Sequence, residues 1–206
     1  MLYLIDEIAE LDDGFPERAK PLLSEERCAK VFARRLLLDR KLSTAVYLLL
    51  RLALMQEHGI DEAVIFAYGE NGKPTLRDHP HIHFNLSHCS TAAACVISNL
   101  EAGVDVQKIA PVSDALAKRV LSPKEYEAFQ ASQHPDKLFC RFWTMKESWL
   151  KQTGRGLVKD LAALSTEQMT NTVLLKGQSY YCCVSGNFDS IRYVKARDFA
   201  ALQSDT

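Results

Sequence analysis

Glu147 and Lys151 stand one helical turn apart in the stretch Arg141 to Lys151, with Lys146 beside them and Trp143 and Trp149 interleaved. Wound at about 100° per residue, the segment sorts into two faces. Leu138, Phe142, Met145 and Trp149 fall on a side expected to be buried, and Trp143, Glu147 and Lys151 fall on a polar one. A Glu–Lys pair at this spacing is by itself an ordinary surface salt bridge worth about 0.3 kcal/mol. A second acid, Asp105, lies upstream in Gly103-Val-Asp-Val-Gln107. A carboxylate from a strand end and one from a helix can hold Mg²⁺ between them, with the lysines left for a polyphosphate.

Those side chains need a framework, and the chain's punctuation supplies one. Ser24 before Glu25 and Glu26 opens a helix with acids at its positive end. Leu42, Val46, Leu49 and Ala53 carry the pattern on, with a break near Asp39, to Gly59 at a C′ position. Val64 to Tyr68 reads as a strand, and Glu70-Asn-Gly-Lys73 as a hairpin turn, since Asn71-Gly72 tolerates positive φ. From His81 to Ser87, Ile82, Phe84 and Leu86 alternate with His83, Asn85 and Ser87, as in a half-buried strand. Further strands are expected over Ala92 to Ile97 and Gly103 to Val106. Ser122-Pro-Lys-Glu125 is a capping box with proline at the first helical position. His134-Pro135 starts the helix that carries Glu147 and stops at Gly154, and two or three strands follow, including Tyr180 to Val184 and Ile191 to Val194. The class is α+β. A seam near Glu101-Ala102 divides the chain into an N-terminal half, 1–101, and a C-terminal half, 102–206, without any visible internal repeat.

At 206 residues the chain can build one good core or two compact halves, and a formal net charge of -1 gives no field to recruit nucleic acid wholesale. The amino terminus has no basic region before Asp6, and its longest apolar runs are interrupted by Arg51. A cytoplasmic protein without membrane or nucleic-acid partners is expected. The six cysteines show no C-x-x-C spacing and sit in apolar segments, so they read as buried thiols. His79, His81 and His83 alternate on a strand but have no Cys, Asp or Glu at zinc-like spacing.

Four segments now stand in order: Gly72-Lys-Pro74, Phe84-Asn-Leu-Ser-His88, Gly103-Val-Asp-Val-Gln107 and Phe142 to Lys151. On them the chain resembles a 4′-phosphopantetheinyl transferase of the surfactin-synthetase-activating type, from about the first helix to Leu157, with Gly154-Arg-Gly-Leu157 extending the likeness. The resemblance implies two similar α+β halves related by pseudo-twofold symmetry, with the active site in the cleft between them. It implies a monomer that moves the phosphopantetheine arm of coenzyme A onto a serine of an apo acyl or peptidyl carrier protein. That reaction releases 3′,5′-ADP and serves fatty acid, polyketide or nonribosomal peptide synthesis.

By the same resemblance, Mg²⁺ is held by Asp105 and Glu147, and Glu147 helps to deprotonate the serine. Glu147, Lys151 and Asp105 form the catalytic set, and Lys146 and Lys151 contact coenzyme A phosphates. Ser87 and His88 meet the nucleotide phosphates, Lys73 lies near the adenine and 3′-phosphate, and Lys30, Arg40 and Ser43 surround the 3′-phosphate. The second half's first helix offers a basic rim, Lys118, Arg119 and Lys124, to an acidic carrier. One departure stands out: Gln107 occupies a metal position that is commonly acidic, and a neutral amide is a weaker ligand for a hard cation. The alternative reading is therefore a catalytically weak binder of coenzyme A or a carrier protein.

Overall fold

The computed structural model describes residues 1–69, 72–154 and 160–202. The Glu70-Asn71 part of the expected turn and the Arg155 to Leu157 extension lie outside them. The chain opens with strand β1 (Leu2–Ile5) and a short helix α1 (Phe15–Arg18). Helix α2 (Glu25–Phe32) is capped by Ser24, whose hydroxyl accepts from the Arg27 N–H at 3.3 Å. The expected break falls at residues 33–36, earlier than Asp39, and α3 (Leu37–His58) then runs to Gly59, left-handed at φ 68°. Strands β2 (Phe66–Tyr68) and β3 (Pro74–Leu76) form a small hairpin. They are followed by β4 (His83–His88), β5 (Ala93–Ser98) and β6 (Gly103–Lys108). Helices α4 (Asp114–Val120), α5 (Pro123–Ala131) and α6 (Pro135–Thr153) come next, the second with the capping box at Ser122. Strands β7 (Thr172–Lys176), β8 (Tyr180–Ser185) and β9 (Ile191–Tyr193) complete the order.

One sheet runs β4-β5-β1-β9 and another β6-β8-β7. Because side chains alternate along a strand, each sheet has two faces to bury. Leu2, Leu4, Ala94 and Val96 of the first sheet meet Val104, Val106, Cys182 and Val184 of the second in a single apolar cluster. Tyr3, Ile5, Cys95 and Ile97 on the first sheet's other face lie on the apolar side of α3. Helix α6 covers the outer face of β6 and β8. The order of layers is helix, sheet, sheet, helix.

The connectivity repeats. A strand, a long helix and an antiparallel hairpin follow one another as β1–α3–β4–β5 and again as β6–α6–β7–β8, with sheet orders β4-β5-β1 and β7-β8-β6. A boundary at residue 101 is nonetheless crossed by the chain's last segment. β9 pairs in parallel with β1, and Val194, Phe199 and Leu202 enter the first half's core.

The facing expected for α6 needs correction. Leu138, Phe142, Met145 and Trp149 are only half-buried, whereas Phe139, Cys140, Thr144, Lys146, Ser148 and Leu150 are buried. Trp143, placed on the polar side, meets Phe139 in a tilted ring contact, centroids 5.8 Å apart, in a cluster with residues of α4 and α5. The physical reason is that α6 is covered on two sides, by the sheet and by α4 and α5, so a two-face amphipathic rule does not apply to it.

Candidate active site

Asp105 and Gln107 share the face of β6 turned towards α6, because Val104 and Val106 point into the inter-sheet core. Gly103 begins the same face. A Cβ there would lie closer than 3.0 Å to the Ser148 carbonyl oxygen and the Gln152 nitrogen, so the helix backbone rests on the glycine. This close approach brings Glu147 and Lys151 of α6 against Asp105.

The edge of β6 is met by β4 through side chains. Asn85 Oδ1 accepts from the Val104 N–H at 3.0 Å, and Ser87 Oγ accepts from the Val106 N–H at 3.1 Å. Ser87 also donates to Asp105 Oδ1 at 3.0 Å and accepts from Lys151 Nζ at 3.0 Å. Lys151 reaches Asp105 Oδ1 at 2.7 Å and the Val104 carbonyl at 3.2 Å. One oxygen of Asp105 is thus fully engaged. The other, Oδ2, is buried with no hydrogen-bond partner, and so is Glu147 Oε1. Burial raises the proton affinity of Glu147, nearby Asp105 raises it further, and Lys151 partly offsets both.

Two desolvated carboxylate oxygens without donors are an unstable arrangement unless a cation completes it. Asp105 Oδ2, Glu147 Oε1 and the Gln107 amide are oxygen donors of the kind that Mg²⁺ takes. Among the described residues no group of three His, Cys, Asp or Glu side chains could hold a metal. Substrate oxygens and water would therefore fill the remaining positions, as is usual for Mg²⁺.

The other expected site residues divide. His88 follows Ser87 at the end of β4 and is exposed; partial desolvation, then the cations Arg34, Lys151 and Arg27, lower its pKa. Lys73 on the β2–β3 hairpin forms an ion pair with Glu101 and donates to the Gln152 carbonyl at 3.2 Å, tying the hairpin to the end of α6. Beside it lies a cleft of about 510 Å³ lined by Tyr68, Lys73, Pro80, His83, Phe84 and Glu101. Lys30 spans from Glu26, at 2.5 Å, to the Tyr68 hydroxyl, at 2.6 Å, on the same cleft's wall. Arg40 donates to the Arg34 carbonyl at 2.8 Å.

Three placements differ from expectation. Lys146 does not point towards a phosphate. Its ammonium, 1% exposed, donates to the Val120 carbonyl at 2.7 Å and the Leu161 carbonyl at 3.0 Å and pairs with Glu125 at 2.7 Å. Burial alone would raise the Glu125 pKa, but Lys146 and the N–H groups of Thr166 and Ser122 hold it below the ordinary range. Ser87 has its hydroxyl saturated by Asp105, Lys151 and Val106, which makes it a positioning residue for the carboxylate. Ser43 is buried in α3, and Arg27 stands over it, donating to its carbonyl at 2.6 Å. Arg27 has a buried Nε without a partner and was missed from sequence. The usable signal was the spacing of Arg27, Lys30 and Arg34, which recur on one side of α2 and its continuation.

The buried pair gives a direct test. Lys146→Met should strand the Glu125 carboxylate and lower the unfolding free energy by about 3 kcal/mol in urea titration. Adding Glu125→Gln should recover part of the loss. Equal stability of the single variant and the parent would show that the pair carries no weight.

Comparison with known proteins points to one family. The family described as the 4′-phosphopantetheinyl transferase superfamily matches residues 101–195. A 4′-phosphopantetheinyl transferase of Bacillus subtilis is 39% identical over 122 residues, 57% of this chain and 54% of that one. The transferase psf-1 of Bacillus pumilus is 31% identical over 152 residues, 72% of this chain and 65% of its own. The transferase Sfp of Bacillus subtilis strain 168 is 35% identical over 120 residues, 57% and 54% respectively. The chain thus spans between half and two thirds of the length of these curated relatives.

Proposed function

The chain belongs to the 4′-phosphopantetheinyl transferase superfamily, and on that premise we propose that it moves the phosphopantetheine arm of coenzyme A onto a serine of an acyl or peptidyl carrier protein. The observation that carries the reading is the pair of buried, unpartnered carboxylate oxygens, Asp105 Oδ2 and Glu147 Oε1, beside the Lys151 ammonium. The carrier's serine oxygen forms the new bond to the phosphorus attached to the pantetheine, the bond from that phosphorus to the bridging oxygen breaks, and 3′,5′-ADP leaves. Asp105 and Glu147 would hold Mg²⁺, which when bound would supply neutralising charge to the pyrophosphate.

The protein's own groups do the rest. Glu147, with one carboxylate oxygen towards the metal position and the other towards the substrate, accepts the serine proton as the oxygen closes on phosphorus. Lys151 has its three ammonium donors taken by Asp105, Ser87 and the Val104 carbonyl, so it is held at the margin of the carboxylate pair and acts on the phosphates through its charge. His88 and Arg27 make the anion-binding end for the nucleotide, and the cleft beside Lys73, Tyr68 and Lys30 takes the adenosine. In this scheme the N-terminal half binds the nucleotide and the C-terminal half carries the metal and the base, as pseudo-twofold halves of a monomer. Among the described residues no helix is long and apolar enough to cross a membrane.

Intact-mass spectrometry of apo carrier proteins incubated with this protein, coenzyme A and Mg²⁺ tests the proposal. A gain of one phosphopantetheine arm that requires Mg²⁺ is expected. Coenzyme A binding without any gain would favour the weak binder that Gln107 suggests.

Metal binding also has a pH signature. The folded-state pKa of Glu147 lies above its ordinary value, so ionising it without a cation costs stability as pH rises through that raised pKa. Below the ordinary value the carboxyl is neutral and the cost is absent. The rise in melting temperature produced by Mg²⁺ should therefore be small near about pH 5 and larger near about pH 8. A pH-independent Mg²⁺ shift would show that Glu147 is not a ligand.

A further inference from the structure

Three consecutive leucines, Leu36, Leu37 and Leu38, lie open to solvent at the start of α3, with 65%, 37% and 42% of their surfaces exposed. An apolar run of this kind on a surface marks an interaction site more often than chance. It serves no local purpose: Leu36 occupies the N-cap position of α3 and caps nothing, where Ser or Asp would accept a hydrogen bond. Arg34 and Arg35 stand exposed on its flank, and among the described residues neither forms an ion pair.

The strip lies near His88. Arg34 and Asp39, one on each side of the leucines, both act on the charge of His88, which follows Ser87 on β4. Leu38 also forms a wall of a groove of about 520 Å³ with Thr91 and Tyr180; Asp6, Glu7 and Glu10 line the same groove, so an acidic partner meets the leucines from their arginine side. The basic rim on α4 and α5 is a poorer match. There Lys118 is paired with Asp114 at 3.0 Å and Lys124 with Glu167 at 2.6 Å, which leaves Arg119 as the rim's one cation without an ion pair among the described residues.

We propose that Leu36, Leu37 and Leu38, with Arg34 and Arg35, form the docking surface for the carrier protein, which offers an apolar helix face edged by acidic residues. The unpaired arginines select the acid and the leucines supply the apolar contact, so that the partner is held where its serine can reach Glu147. This inference rests on the functional reading above.

Steady-state kinetics with an apo carrier as the varied substrate test it, using Leu36→Ser with Leu38→Ser, and separately Arg35→Glu. Each is expected to raise the KM for the carrier by about tenfold or more. The KM for coenzyme A, the kcat at saturating carrier and the melting temperature should stay at parent values. A carrier with one acidic residue changed to Lys should recover at least half of the Arg35→Glu loss. An active parent whose carrier KM is unmoved by these changes overturns this inference alone. The same holds if the changes instead abolish pelleting with anionic phospholipid vesicles or a concentration-dependent dimer, which would assign the strip to a lipid surface or a second copy. A parent protein that modifies no carrier overturns the functional reading and this inference together.

Discussion

Glu147→Gln is expected to lower carrier modification by about 10³-fold or more, with a melting temperature equal to or above that of the parent protein. The two halves of this result have one cause. In the parent without a divalent cation, the Glu147 carboxylate is partly desolvated, faces Asp105 and leaves one buried oxygen without a donor. The neutral amide keeps the shape and removes the like-charge repulsion, so folding loses nothing. The same change removes a proton acceptor and weakens the metal site, so chemistry loses both contributions. Mg²⁺ should then no longer raise the melting temperature. A variant that melts well below the parent would mean that Glu147 holds the fold together, and its loss of activity would say little about catalysis.

Gly103→Ala is expected to destabilise the protein by more than about 4 kcal/mol, as read by thermal or urea unfolding. The added carbon has no flexible side chain to push aside. It meets the backbone of α6 at Ser148 and Gln152, in a helix packed from both sides. Only movement of the whole helix relieves the overlap, and that movement carries Glu147 and Lys151 away from Asp105. Any folded fraction should accordingly have lost Mg²⁺ binding as well. Near-parent stability for Gly103→Ala would show that α6 does not rest on this strand as described.

The residues that meet at the site were legible because their signals are local or lie in short motifs. Asp105 in its glycine-led strand and Glu147 and Lys151 one helical turn apart could be read without knowing the packing. So could the Ser24 and Ser122 caps and the Gly59 stop, because a cap is chemistry within four residues. What was not legible depended on what lies opposite. Lys146 reads like any lysine beside a site until Glu125 and two carbonyls from other segments converge on it. Ser87 reads as a phosphate ligand until β6 and α6 saturate its hydroxyl. Strand β1 is an unalternating apolar run at the chain's start, and its place between β5 and β9 is set by residues far along the chain. The shared connectivity of the halves was invisible because it is carried by topology and not by repeated residues.

The pairing of β1 with β9 also bears on how the molecule is made. Leu2 to Leu4 are matched with Ile191 to Tyr193, so one flank of an early strand has no partner until residues about 190 positions later have emerged. On a ribosome the second sheet, whose strands span 103–185, can assemble while the first still shows a raw edge. Contacts of such long sequence separation close late and slowly. The nascent chain therefore spends its longest vulnerable interval with β1 half-covered, and that strand is where a chaperone's hold would matter most.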